Sequence, residues 1–252
     1  MENEQQQLNE ICAGKNAVRE ALRAGKVLDT VFVSERSPAL SPVLAECVRA
    51  GAVVKEVHPA KLDAMAGGVQ HQGIVAVVSC VRPAVTDDIF DAAAQRQEPP
   101  LILICDEIED PHNLGALIRS AECAGFHGVI VPRHRSATLG GVVSKSSAGA
   151  VAHIPVVKVA NLTDTIGKLK ERGVWVYAAE LEGQDYDRVD FTGPTAIVIG
   201  SEGKGVGRLI KKNCDGLVTI PMFGKINSLN ASVAGGILMF AAAVQRLRKS
   251  PK

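Results

Sequence analysis

"IPMFGKINSLNASVAGG", residues 220–236, joins the last strand-like run of the chain to its last helical stretch. Leu217, Val218, Thr219 and Ile220 form a β-type run that stops at Pro221, and the residues from Ala231 to Gly236 are almost all small. Two amides (Asn227, Asn230) and two hydroxyls (Ser228, Ser232) crowd the turn between them. One use is an N-capped core helix whose small residues permit close helix packing. The other is a ligand pocket at a strand's carboxyl end. There, backbone groups at Ile220 and Leu229 would meet a purine edge while another chain segment crosses the helix start.

Working outward, the same grammar recurs back to Leu101. LILIC (101–105), GVIVP (128–132), AHIPVV (152–157), VWVYAAE (174–180), TAIVIG (195–200) and GLVTIP (216–221) read as strands. Helices are predicted near 113–124, 138–148, 161–172, 205–213 and 228–247. Unbroken apolar runs indicate strands buried on both faces, and strict alternation with helices predicts a parallel α/β sheet. Upstream, residues 14–79 predict a small αβαβαβ unit, with Gly25 and Gly51 closing its first two helices. The expected organisation is a disordered polar tail (1–10), a first domain (11–80), a linker with a helical turn or more (81–100), and a second domain (101–252).

Bulk composition narrows the class. The 252 residues are 46% hydrophobic and 22% charged with net charge +1, so any nucleic-acid partner must be held by local patches. The six cysteines are scattered, without C-x-x-C or zinc spacing, which argues for no metal and a reducing cytoplasm. MENEQQQLNE lacks the marks of a signal peptide. No run of 18 apolar residues predicts a membrane span.

Two more strand ends carry unusual residues. After LILIC comes "DEIEDPHNLGALIRSAECAG" (106–125): Asp110-Pro111 imposes an extended turn, Asn113 is a plausible N-cap, Gly115 permits close approach, and Arg119 lies a turn and more into the helix. A capped helix with a surface arginine explains this segment equally. Asp106 and Glu107 alternate sides at a strand end and are not expected to act as a pair. The other end is "IVIGSEGKGVG" (197–207). Arg208 breaks the G-x-G-x-x-G register and Val198 breaks the P-loop, so a nicotinamide dehydrogenase is disfavoured. A glycine turn bearing a solvated Glu202 is the plain alternative.

Taken in order, the three segments resemble the signature motifs of the SpoU (TrmH-type) RNA 2′-O-methyltransferases of the SPOUT superfamily. The matching residues are Asp110, Pro111, Asn113, Leu114, Gly115 and Arg119; then Gly200, Glu202 and Gly205; then Ile220, Pro221, Met222, Ser228, Leu229 and Asn230. SSAGAVAHIPVVKVANL (146–162) also looks like the family's middle region. GKNAVREAL and HQGIVAVV make residues 14–79 similar to the ribosomal-protein-like RNA-binding domain of its ribosomal-RNA branch.

The resemblance implies a C-terminal domain tied in a trefoil knot, otherwise nearly absent from proteins, a homodimer, and S-adenosylmethionine held by Gly200, Glu202, Ile220, Met222 and Leu229. It points to Arg119 as the activating residue. A guanidinium does not lose its proton in proteins, so Arg119 is read as a cation that binds phosphate and stabilises developing alkoxide, the proton leaving through phosphate or water. Asn113 would orient Arg119 or the ribose. Glu202 would fix the arginine or its own loop, and is a weaker candidate base. Ser228 and Asn230 would shape the pocket floor.

Local cations that suit RNA are Lys15, Arg19, Arg133, Arg135, Lys145, Lys204 and Arg208. The expected activity is 2′-O-methylation of 23S ribosomal RNA, on a guanosine. Open alternatives are a transfer-RNA guanosine methyltransferase, a resistance-type 23S adenosine methyltransferase, and a non-catalytic RNA-binding assembly protein.

Overall fold

The computed structural model describes residues 11–249; the expected tail at 1–10 lies outside them. The chain divides into two compact units, one of residues through Arg82 together with Thr138–Lys145, the other of Pro83–Ala137 and the residues from Ser146 on.

The first unit runs β1 (Ile11–Ala13), α1 (Lys15–Arg23), β2 (Leu28–Val33), α2 (Ser41–Arg49), β3 (Val53–Glu56), α3 (Pro59–Ala66) and β4 (Ile74–Val78). Its sheet order is β1-β4-β2-β3, with β2 and β3 parallel and β4 antiparallel to β1 and β2. Val18, Val31, Val43, Cys47 and Ile74 meet in its core. The sequence reading found the three helices and three of these strands. It missed β1, because three residues are too few to show a period and their pairing partner lies more than 60 positions away, Ile11 opposite Val77.

The second unit holds α4 (Thr86–Arg96), β5 (Leu101–Cys105), α5 (Pro111–Cys123), β6 (Gly128–Pro132), β7 (Val156–Val159), α7 (Leu162–Glu171), β8 (Trp175–Asp185), β9 (Thr195–Ile199), α8 (Arg208–Asn213), β10 (Gly216–Thr219) and α9 (Ala231–Lys249). The short helix α6 (Gly141–Ser146) belongs to the first unit up to Lys145. The six strands form one parallel sheet in the order β10-β8-β9-β5-β6-β7.

Three local readings change. AHIPVV does not form a strand from its start: Ala150–Ala152 make a 3-10 turn and pairing begins at Val156. Pro155 has no N–H to give a ladder, though its carbonyl accepts from Val129 N–H at 2.9 Å. The stretch 81–100 does more than connect. Ile89 of α4 is fully buried among Ile102, Ile104 and Ile130, and a methyl on Gly128 would lie 2.4 Å from its Cγ1. The last helix opens at Ala231 rather than 228.

The small residues of α9 serve helix packing. A Cβ on Gly235 would sit 2.3 Å from Leu117 Cδ2 of α5 and 3.4 Å from Ile199 Cγ1 of β9. Parallel strands place the ends of β5, β9 and β10 on one side of the sheet, which is where the three unusual junctions lie.

Candidate active site at the carboxyl ends of the strands

Asp110, not Asn113, caps α5. Its carboxylate accepts from His112 N–H (3.1 Å) and Asn113 N–H (3.4 Å), and Pro111 takes the first helical position, where a missing N–H does no harm. The correction matters, because it frees the Asn113 side chain. Its Nδ2 donates to Glu202 Oε1 (3.2 Å) and its Oδ1 accepts from Asn230 Nδ2 (2.9 Å). Asn230 Nδ2 also donates to Glu202 Oε1 (2.5 Å). The Asn230 Oδ1 caps α9, accepting from Ser232 N–H (3.0 Å), Ser232 Oγ (2.6 Å) and Val233 N–H (3.3 Å). Three side chains, one from each junction, thus share one hydrogen-bonded cluster.

Glu202 rides on a tight loop between β9 and α8. Gly200 has no room for a side chain: its Cβ would fall 2.1 Å from the carbonyl carbon of Gly205. Gly205 lies at φ +65 and donates its N–H to Ser201 O at 2.9 Å. Two carboxylates meet the loop's exit. Val206 N–H donates to Glu180 Oε1 (2.9 Å) and Gly207 N–H to Asp106 Oδ2 (2.8 Å). Burial pushes the Asp106 carboxyl up from its ordinary value, an effect the Gly207 N–H opposes. Sequence reasoning missed Glu180; its signal was an acid closing the apolar run VWVYAAE (174–180), midway along the observed β8.

A hollow of about 600 Å³ opens between this loop, the β10 end and the start of α9. Gly200, Glu202, Ile220, Met222, Ser228, Leu229 and Asn230, all expected site residues, line it. A second hollow of about 270 Å³, bounded by Asp110, Asn113 and Glu107, shares Ser201, Glu202 and Lys204 with the first. The amide–carboxylate cluster stands where the two meet.

Leu181, Ile199, Leu229 and Leu238 give the larger hollow apolar walls, while Glu180, Glu202 and the amides give it an acidic, polar rim. That set fits a flat purine nucleoside carrying a positive charge.

Other expected residues fall elsewhere. Arg119 is exposed on α5 and lines neither hollow. The side-chain partners of Asn113 and Glu202 are each other and Asn230 rather than Arg119. Lys204 borders both hollows, and Arg133, Lys145 and Arg208 are exposed. Arg135 is exposed but paired with Glu107 at 2.8 Å. In the first unit Lys15 is half-exposed on α1, and Arg19 lies 3.7 Å from Glu46.

Comparison with known proteins identifies the family. Residues 100–240 match the model of the SpoU rRNA Methylase family, and residues 11–84 that of the RNA 2′-O ribose methyltransferase substrate-binding domain. The chain is 44% identical over 237 residues to the Bacillus subtilis (strain 168) protein YacO, named for the TrmH family of tRNA/rRNA methyltransferases, covering 93% of this chain and 95% of that one. A Staphylococcus haemolyticus protein named for the same family is 39% identical, over 91% and 93% of the two chains. Among solved structures, the SpoU methyltransferase AviRb of Streptomyces viridochromogenes, in complex with S-adenosylmethionine, aligns with TM-score 0.61 and 26% identity over 96% and 92%. An S-adenosylmethionine-bound rRNA methyltransferase of Sinorhizobium meliloti aligns at 0.59 with 27% identity over 98% and 90%. The chain belongs to the SpoU family of RNA methylases, the TrmH-type methyltransferases that use S-adenosylmethionine.

Proposed function

We propose that this protein methylates the 2′-hydroxyl of a ribose in 23S ribosomal RNA, with guanosine as the target nucleoside. The observation that carries the reading is the Asn113–Glu202–Asn230 cluster at the junction of the two hollows. The larger hollow suits the cofactor, with Gly200, Ile220, Met222 and Leu229 around it, and the smaller one suits the target ribose. A small RNA-binding unit ahead of the catalytic one favours a large folded RNA.

S-adenosylmethionine, when bound, supplies a methyl already activated on a sulfonium. The chain's own residues then orient and stabilise. Asn113 and Asn230 fix the Glu202 carboxylate, and holding reactants in line contributes several kcal/mol to such transfers, roughly. Glu202 faces the region where positive charge is held. Ser228 shapes the floor. Arg119 supplies a fixed cation for phosphate and developing alkoxide.

Because Arg119 lies outside both hollows of its own chain, the reading assigns it to a pocket completed by a second copy. The exposed stripe Val233, Phe240, Val244 and Leu247 along α9 gives a homodimer an apolar face to cover. The reading includes a C-terminus threaded through a trefoil knot.

The test is methyl transfer to 23S and transfer-RNA transcripts, with 2′-O-methyl sites mapped. Transfer only to transfer RNA would establish the second reading, which the tRNA/rRNA name of YacO covers equally. An adenosine target would indicate the resistance-type reaction. Absence of S-adenosylmethionine binding would favour a non-catalytic RNA-binding protein. Mixing inactive Arg119→Ala and Asn230→Ala chains tests the shared site: restored activity supports it, and none places Arg119 in its own chain's reaction.

A further inference from the structure

We propose that Glu180 and Asp106 are positioning residues, a two-carboxylate clamp that holds the exit of the Gly200–Gly207 loop and thereby shapes the cofactor pocket; this rests on the methyltransferase reading above.

The loop has little to hold itself. It reverses through Gly203 (φ +81) and Gly205 (φ +65), and the bond from Gly205 N–H to Ser201 O closes the turn. Yet Gly200, Ser201, Glu202, Gly203, Lys204 and Gly205 all line the larger hollow. A wall of left-handed glycines needs outside support to keep one shape.

That support comes from two other strands. Glu180, on β8, accepts from Val206 N–H, and Asp106, just past β5, accepts from the next N–H, that of Gly207. Hydrogen bonds to ionised carboxylates are roughly twice as strong as neutral ones. Asp106 is only 7% exposed, so water competes poorly for its oxygen. The fit is mutual. A Cβ on Gly205 would lie 2.9 Å from Glu180 Oε1, and one on Gly207 3.2 Å from Asp106 Oδ2. Larger residues at either place would push the carboxylates off the backbone they hold.

The clamp also bears on the chemistry. Glu202 sits between the strand and the clamped exit and reaches Asn113 and Asn230. With the exit held, its carboxylate is delivered to the cluster without searching. The plain alternative is that Glu180 only makes an ion pair with Lys211 on α8, whose Nζ lies 3.3 Å from Oε2. Lys211 does not border the larger hollow, so losing that partly buried pair alone would not change cofactor affinity.

Four variants of the full chain separate these accounts: Glu180→Ala, Glu180→Gln, Asp106→Ala and Lys211→Met. S-adenosylmethionine affinity is measured by calorimetry and amide exchange by NMR. The Ala variants are expected to weaken binding about tenfold, and Glu180→Gln, which keeps an acceptor, by less than about threefold. Lys211→Met is expected to bind like the parent. Exchange should quicken at Val206 in Glu180→Ala and at Gly207 in Asp106→Ala, but stay slow at Val206 in Glu180→Gln. Unchanged affinity in folded Ala variants, or a tenfold loss in Lys211→Met, would overturn the clamp. A parent protein that binds no S-adenosylmethionine would sink the methyltransferase reading instead, while the exchange data would still judge the clamp.

Discussion

The two ends of the six-stranded sheet use polar groups in opposite ways. At the amino ends, polar atoms are spent on backbone. Arg246, near the end of α9, donates to the carbonyls of Phe191 (3.2 Å), Pro99, Pro100 (3.2 Å) and Gly193 (2.6 Å), and burial pulls its pKa down to about 10. Buried His127 accepts from Leu101 N–H at 2.9 Å, and its Nε2 lies 3.2 Å from Glu98 Oε2 without hydrogen-bond geometry. At the carboxyl ends, side chains hold one another and border open space: Asn113, Glu202 and Asn230 line hollows rather than fill them. The contrast teaches where stability and activity reside. One end locks strands to the last helix; the other leaves donors and acceptors for a ligand.

The sharpest break in that contrast comes from Asn230→Ala. It removes two amide bonds and the α9 cap together. Methyl transfer should fall about 100-fold or more, while stability drops only by about 1 kcal/mol, read from initial rates and urea unfolding. At the opposite end, Arg246→Ala should behave inversely. Leaving several part-buried carbonyls without this donor should destabilise by about 1–3 kcal/mol, with S-adenosylmethionine affinity of the folded fraction unchanged. An affinity loss there would blur the division between the two ends.

Gly235→Ala tests the helix that joins them. The added methyl meets Leu117 at 2.3 Å, and overpacking of this kind costs about 1–3 kcal/mol in the unfolding midpoint. The smallest effect concerns pH. Burial, then the Arg96 charge, lowers the His127 pKa against the opposing pull of Glu98. The fold therefore resists a proton that the unfolded chain accepts at about 6.5. Stability is full above that value and declines as pH falls from it toward the lowered folded value. His127→Gln, which keeps an acceptor for Leu101, should flatten this slope in unfolding curves between pH 7.5 and 5.5, roughly. An equal slope would assign the dependence to other groups.

Much of the second unit was legible because its signals are local. Apolar runs marked β5, β6 and β9 at their observed bounds or within a residue, and glycine and proline marked the turns. The expected site residues around Gly200, Ile220 and Leu229 followed from the family resemblance, and they line one hollow. The misreadings were of another kind. Asn113 and Asp110 are both good N-caps by residue type, and only packing decided which one caps and which one reaches Glu202. The linker's Ile89 gave a weak apolar signal until Gly128 left a space for it.

What the sequence determined by itself was the order of most strands and helices and the special turns, because backbone propensity and burial pattern act over a few residues; the kind of chemistry came from the resemblance of those turns to a known family. What only the tertiary structure decided was the partnership of side chains 89 and 117 positions apart, the Glu180 contact with the loop, and the exposed place of Arg119. A hydrogen bond is set by ångström distances between distant segments, and those distances exist only once the sheet and its helices have packed.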